Sequence, residues 1–142
     1  TVGFPSAVDT DVAVPLEAVP SFLKQITARV QKIDPEGQEF YLAHLGDGNL
    51  HYTFYPSDTS GQFKEPITEA IEDVVLGLQG SFSAEHGIGL SKRNSMARRK
   101  DPVALEMMRT IKTALDPKNL MNPGKVYPEQ EMRQARSMTG KL

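Results

Sequence analysis

An α+β domain built on an antiparallel sheet is the fold the sequence predicts, and three observations carry it. Apolar residues recur at helical spacing in two separated stretches, Phe22 to Ile33 and Ile67 to Leu78. Short runs around those stretches read as strands. Asp47-Gly48, set between apolar runs at 40–45 and 50–55, is a two-residue hairpin signal.

Residues 1–9 show no period, and Asp11 to Val14 reads as a short strand closed by Pro15. Pro20-Ser21 opens a helix with Phe22, Leu23, Ile26, Val30 and Ile33 on one stripe, and Asp34-Pro35-Glu36-Gly37 stops it. Phe40 to Leu45 and Leu50 to Tyr55 form the hairpin. With Asp47 and Gly48 as its turn, Gly46 faces Asn49, Leu45 faces Leu50 and His44 faces His51. One hairpin face then carries Tyr41, Ala43, Leu45, Leu50, Tyr52 and Phe54 towards the helices. The other carries Phe40, Leu42, His44, His51, Thr53 and Tyr55. Pro56 to Lys64 is a polar loop. Pro66 opens a second helix, with Ile67, Ile71, Val74, Val75 and Leu78 on its stripe and an end near Gly80. Ser81 to Ala84 is a last short strand that delivers Glu85-His86 at its C-terminal end.

The order strand, helix, strand, strand, helix, strand is the ferredoxin-like βαββαβ arrangement. Its helices lie on one face of the sheet and leave the other face free. Additional C-terminal helices follow. One runs over Ser91 to Arg99. A second starts at the Asp101-Pro102 cap and buries Leu105, Met108, Ile111 and Leu115. Asp116-Pro117 ends it, Asn122-Pro123-Gly124-Lys125 is a turn, and 129–142 reads as a flexible polar tail. No repeat or internal boundary shows, so 1–142 reads as a single domain.

Composition narrows the function. The chain has 142 residues, 24% charged, with a net charge of −2, so nothing in its charge favours nucleic acid or an anionic membrane. No apolar run approaches the ~20 residues of a membrane span, and no signal-peptide pattern opens the chain. Cysteine is absent, which removes disulfides, thiolate nucleophiles and sulfur ligands together. That is compatible with a reducing compartment, and a cytoplasmic location is the expectation.

All three histidines sit in two glycine-flanked segments, His44-Leu45-Gly46-Asp47-Gly48-Asn49-Leu50-His51 and Glu85-His86-Gly87-Ile88-Gly89. Opposed residues of a hairpin have β-carbons roughly 5 Å apart, so the two imidazoles can share one metal ion. The alternative is a pair of ordinary histidines on a half-buried hairpin. Glu85 offers a third, oxygen ligand. His86 then stays unligated and is placed as a general base. A strand-end histidine that caps a turn is the plainer alternative for His86. Without cysteine, any ion is held by imidazole and carboxylate, which suits zinc, manganese, iron or cobalt. Gly87 to Lys92 faintly suggests a phosphate cradle at a helix start but lacks the spacing of a P-loop.

The two histidine motifs, with Asn122-Pro123-Gly124-Lys125 after them, resemble the C-terminal region of FAD-linked 2-hydroxy-acid dehydrogenases. That group includes D-lactate dehydrogenases, the glycolate oxidase flavin subunit and D-2-hydroxyglutarate dehydrogenase, within the vanillyl-alcohol oxidase superfamily. The similarity runs from about Asp11 to Val126. It implies a divalent metal on His44, His51 and Glu85, with His86 taking the proton from the substrate hydroxyl while the α-hydrogen leaves as hydride to the flavin. It also implies that the segment around Asn122 lies towards FAD. The FAD-binding domain of such proteins is not in this sequence. The chain is therefore expected to be a fragment, inactive alone, with that domain and a small 2-hydroxy acid as partners. Thr53 stands where D-2-hydroxyglutarate dehydrogenases carry an asparagine, which favours a smaller acid such as lactate or glycolate. The open sheet face makes self-association an expectation too. A non-catalytic metal- or small-ligand-binding module of the same fold is the rival reading.

Overall fold

A computed structural model describes residues 6–44 and 46–127. Strand β1 (Val8–Ala13) leads through a 3-10 turn (Leu16–Ala18) into helix α1 (Val19–Ile33). Strands β2 (Gln38–His44) and β3 (Asn49–Tyr55) follow, then helix α2 (Lys64–Gly77). Helices α3 (Arg93–Arg99) and α4 (Pro102–Leu115) complete the order. The chain divides into two compact units after Gly87. Among the described residues no helix is long and apolar enough to cross a membrane.

The first unit is an α+β layer. Its sheet has the order β1-β3-β2, antiparallel throughout. Ser81 adds one antiparallel bridge to Ala13, on the outer edge of β1. The expected fourth strand at 81–84 is thus reduced to a single bridge, in the place a ferredoxin-like unit gives its last strand. Gly80 explains the closeness of that approach: a β-carbon there would lie 2.2 Å from the Ala13 carbonyl oxygen.

The core forms where the predicted stripes meet. Phe22, Ile26 and Val30 of α1 are buried, each four residues after the last, so they share one helix face. Ile67, Ile71, Val74 and Val75 of α2 join them. The sheet contributes Val8 and Val12 from β1 and Leu50, Tyr52 and Phe54 from β3. Tyr52 meets Phe22 edge-to-face at 6.1 Å and donates its hydroxyl to Glu39 at 2.7 Å. Burial, then the Glu39 carboxylate, holds its phenol far above the ordinary value, so it remains a donor. α1 stops at Asp34, whose amide still bonds the Val30 carbonyl at 2.8 Å. Gly37 follows because a β-carbon there would overlap the Phe54 ring at 2.2 Å.

Three expectations need correction. Tyr41 and Ala43 do lie on the core side of the sheet, but they are exposed, because the buried residues of the sheet belong to β1 and β3. Strand β2 is the outer strand beyond them; Leu45 falls outside the described residues. Secondly, the hairpin register differs: His44 pairs with Asn49 and Leu42 with His51. The His44 carbonyl accepts the amides of both Asp47 and Gly48 at 3.2 Å, and the Asp47 carboxylate accepts the Asn49 amide at 3.0 Å. The connection therefore takes four residues, 45–48. Thirdly, in the second unit Leu105 is buried, but Ile111 and Leu115 of the expected stripe are 57% and 77% exposed. A helical period identifies an apolar stripe; it does not supply the surface that covers it.

The second unit keeps its predicted caps. Asp101 accepts the Ala104 amide at 2.9 Å ahead of Pro102. Asn122 opens the predicted turn with a φ of 48°, and the Lys125 amide returns to its carbonyl. The predicted 129–142 tail lies outside the described residues.

Candidate functional site

A two-residue change of register keeps every side chain on its face, since strand side chains alternate with period two. His44 and His51 are therefore diagonal rather than opposed, yet they still share the open face of the sheet. Their rings meet edge-on with centroids 5.3 Å apart, and the two Nε2 atoms are 3.3 Å apart. Gly48 makes this possible. Its φ is 74°, and its carbonyl accepts the Val14 amide at 3.1 Å, tying the end of the loop to the chain just past β1.

Glu85 and His86 arrive from the other edge of the sheet. Past the Ser81 bridge, the Ala84 amide bonds the Asp11 carbonyl at 3.0 Å, and then strand geometry ends. Glu85 Oε1 lies 3.1 Å from His51 Nε2 and 3.4 Å from His86 Nε2. The His86 ring stacks on that of His51, centroids 5.5 Å apart and planes at 28°. The structure thus brings together all four site residues of the first unit that the sequence nominates. Asn122 belongs to the second unit.

The donors suit a metal. One ligand atom each from His44, His51 and Glu85 fall within 4.8 Å of one another. Ligands bonded to a first-row ion at about 2.0–2.2 Å stand roughly 3.0–3.5 Å apart, close to the separations from His51 to its two neighbours. Two nitrogens and a carboxylate oxygen are also a donor set that zinc, manganese and iron accept.

Sequence reasoning missed Asp11. Local pattern marks it only as the start of a strand, yet its side chain is 2% exposed and it stands directly across from His51. Its Oδ2 accepts the amides of Glu85 at 2.9 Å and His86 at 2.8 Å. A carboxylate next to Val12 in a short apolar strand was the available signal.

Among known proteins, the family described as FAD linked oxidases, C-terminal domain, matches residues 5–126. The chain belongs to that C-terminal domain family. It is similar to a D-2-hydroxyglutarate dehydrogenase of Stutzerimonas stutzeri (strain A1501), 34% identical over 82% of this chain and 26% of that protein. It is 38% identical to the "Probable D-lactate dehydrogenase, mitochondrial" of Danio rerio, over 84% of this chain and 24% of that protein. With the mitochondrial D-2-hydroxyglutarate dehydrogenase of Bos taurus it shares 37% identity, over 83% of this chain and 21% of that protein. The chain therefore spans about a quarter of the length of these curated relatives.

Proposed function

We propose that the chain is the substrate-side C-terminal domain of an FAD-dependent D-2-hydroxy-acid dehydrogenase acting on a small acid of the D-lactate or glycolate type. The observation that carries this reading is the convergence of His44, His51 and Glu85 beside a fourth side chain, His86, that is not one of the three donors. His44, His51 and Glu85 would hold a divalent ion such as zinc, manganese or iron. When bound, the ion supplies a Lewis acid for the substrate oxygens, and FAD, held mainly outside this chain, supplies the two-electron acceptor.

The chain's own work is positioning and proton handling. His86, unligated and with its side chain 63% exposed, accepts the proton of the substrate hydroxyl on a ring nitrogen and returns it to water. Its stacking on His51 holds the ring beside the candidate metal donors. Thr53 lies on the same sheet face as His51, and its hydroxyl donates to Asp9 at 2.8 Å. That position presents a carboxylate, which disfavours the second carboxylate of a longer diacid by like-charge repulsion.

The test belongs on the longer flavoprotein, assayed against a panel of D- and L-2-hydroxy acids. The D forms of small monocarboxylates are expected to give the highest kcat/KM, and His86→Ala to lower kcat by about 10²–10⁴ with metal content unchanged. A preference for 2-hydroxyglutarate would overturn the acid, and a His86→Ala rate within about twofold of wild type would overturn the proton role. The uncovered strand β2, with Phe40 and Leu42 53% and 60% exposed, also favours self-association of the chain.

A further inference from the structure

We propose that Asp11 is the positioning residue of this site, the group that turns Glu85 and His86 to the same side so that both reach His51. The proposal deepens the functional reading above and rests on it for the role of Glu85. It starts from a geometric conflict. Adjacent residues of a strand point to opposite faces, so a strand running through 85 and 86 would send one of the two side chains away. Both nevertheless meet at the open face, Glu85 Oε1 lying 3.4 Å from His86 Nε2.

Asp11 Oδ2 resolves the conflict. In an extended chain successive amides point in opposite directions; here two successive amides, of Glu85 and His86, converge on one oxygen at 2.9 and 2.8 Å. Such a pair forms a concave nest around an anion. With the backbone amides turned inward to Asp11, the two side chains are left to project from the same side of the bend. Gly87 continues the bend at a φ of 68°, and the Ser83 hydroxyl closes it by donating to the Gly87 carbonyl at 2.9 Å.

The location of Asp11 fits the role better than a contribution to the core. Its neighbours in sequence alternate correctly, Val12 facing the helices and Asp11 facing the site. A buried carboxylate is costly unless hydrogen-bonded, and an apolar residue would fill the position at lower cost. It also sits in the same row of the sheet as His51, its direct partner in β3. One residue thus fixes the distance from the incoming segment to the strand that carries the central imidazole. Asp11 is not one of the three candidate donors; its Oδ2 holds the backbone amides of Glu85 and His86 and also lies 3.7 Å from His86 Nδ1, so it positions both the segment and the imidazole.

The experiment uses this chain with cobalt(II) as the probe, alongside amide hydrogen exchange. In wild type the Glu85 and His86 amides should be protected; exchange as fast as in exposed loops would overturn the proposal before any variant is made. Asp11→Ala should lose that protection while the β1–β3 amides keep theirs, and its cobalt affinity should fall about 10–100-fold. Asp11→Asn retains an acceptor oxygen and should restore protection, with affinity within about threefold of wild type. Coupling gives the sharpest readout. Glu85→Ala should weaken cobalt binding in wild type yet add little in the Asp11→Ala background, because Glu85 is then no longer delivered. Additive losses, or unchanged affinity in Asp11→Ala, would overturn the proposal. Absence of cobalt uptake by wild type, with protection intact, would overturn the metal reading and uphold Asp11 as the anchor of the segment.

Discussion

Gly48 carries more of the site than any polar residue in its loop. A β-carbon there would sit 2.1 Å from the Val14 carbonyl oxygen, and a φ of 74° is strained for any side chain. Gly48→Ala should therefore destabilise the chain by about 1–3 kcal/mol, measured by urea denaturation. It should also weaken metal uptake, because the loop sets the 3.3 Å separation of the histidine nitrogens. Wild-type stability in this variant would show that the loop is free of β1. Asp11 shows the opposite case at the same scale. Its identity was plain in the sequence, but its partners lie 74 and 75 residues away, beyond the reach of any local pattern.

At the scale of elements, legibility followed the range of the interaction that fixes each one. Helix α1 was readable because its buried stripe, its proline start and its Asp34 stop are all local signals. The faces of β3 were readable for the same reason, since alternation alone assigns Leu50, Tyr52 and Phe54 to the core. The register was not. Asp47-Gly48 does mark the bend, but the His44 carbonyl and the Asp47 side chain capture three amides and lengthen the connection. The site survived that error because the displacement was even; a slip of one residue would have parted the histidines. The bridge at Ser81 could not be distinguished from a strand, because four residues of suitable composition satisfy both. Strand β2 carries its own prediction. As the outer strand with Phe40, Tyr41 and Leu42 exposed, it invites pairing between copies. Wild type is expected to associate with rising concentration in sedimentation velocity and Phe40→Lys to lower that association; no association in wild type would contradict the pairing, and unchanged association in the variant would place the contact elsewhere.

For the whole molecule, the two compact units have separate means of holding themselves together. The first has the apolar core; the second buries Met96 and Leu105 and closes the turn after α4 with polar contacts. The Asp116 carboxylate takes the Lys112 ammonium and the amides of Leu120 and Met121, which hold its pKa down at about 2 rather than the ordinary 3.8. Because the folded value is the lower one, this contribution is fully present above the ordinary carboxylate range and is lost as pH falls towards about 2. Thermal melts of wild type and Asp116→Asn should differ at about pH 5 and converge only below about pH 2; a constant difference would mean that the charge is immaterial. The chain belongs to the FAD-linked oxidase C-terminal family and spans about a quarter of the length of the curated relatives it matches, so the site is judged first on what this chain does alone. Equilibrium dialysis of the chain against zinc and manganese does that most directly. Wild type should take up one equivalent and both His44→Ala and His51→Ala should lose it, whereas no uptake, or equal uptake in the variants, would contradict a metal site on this sheet.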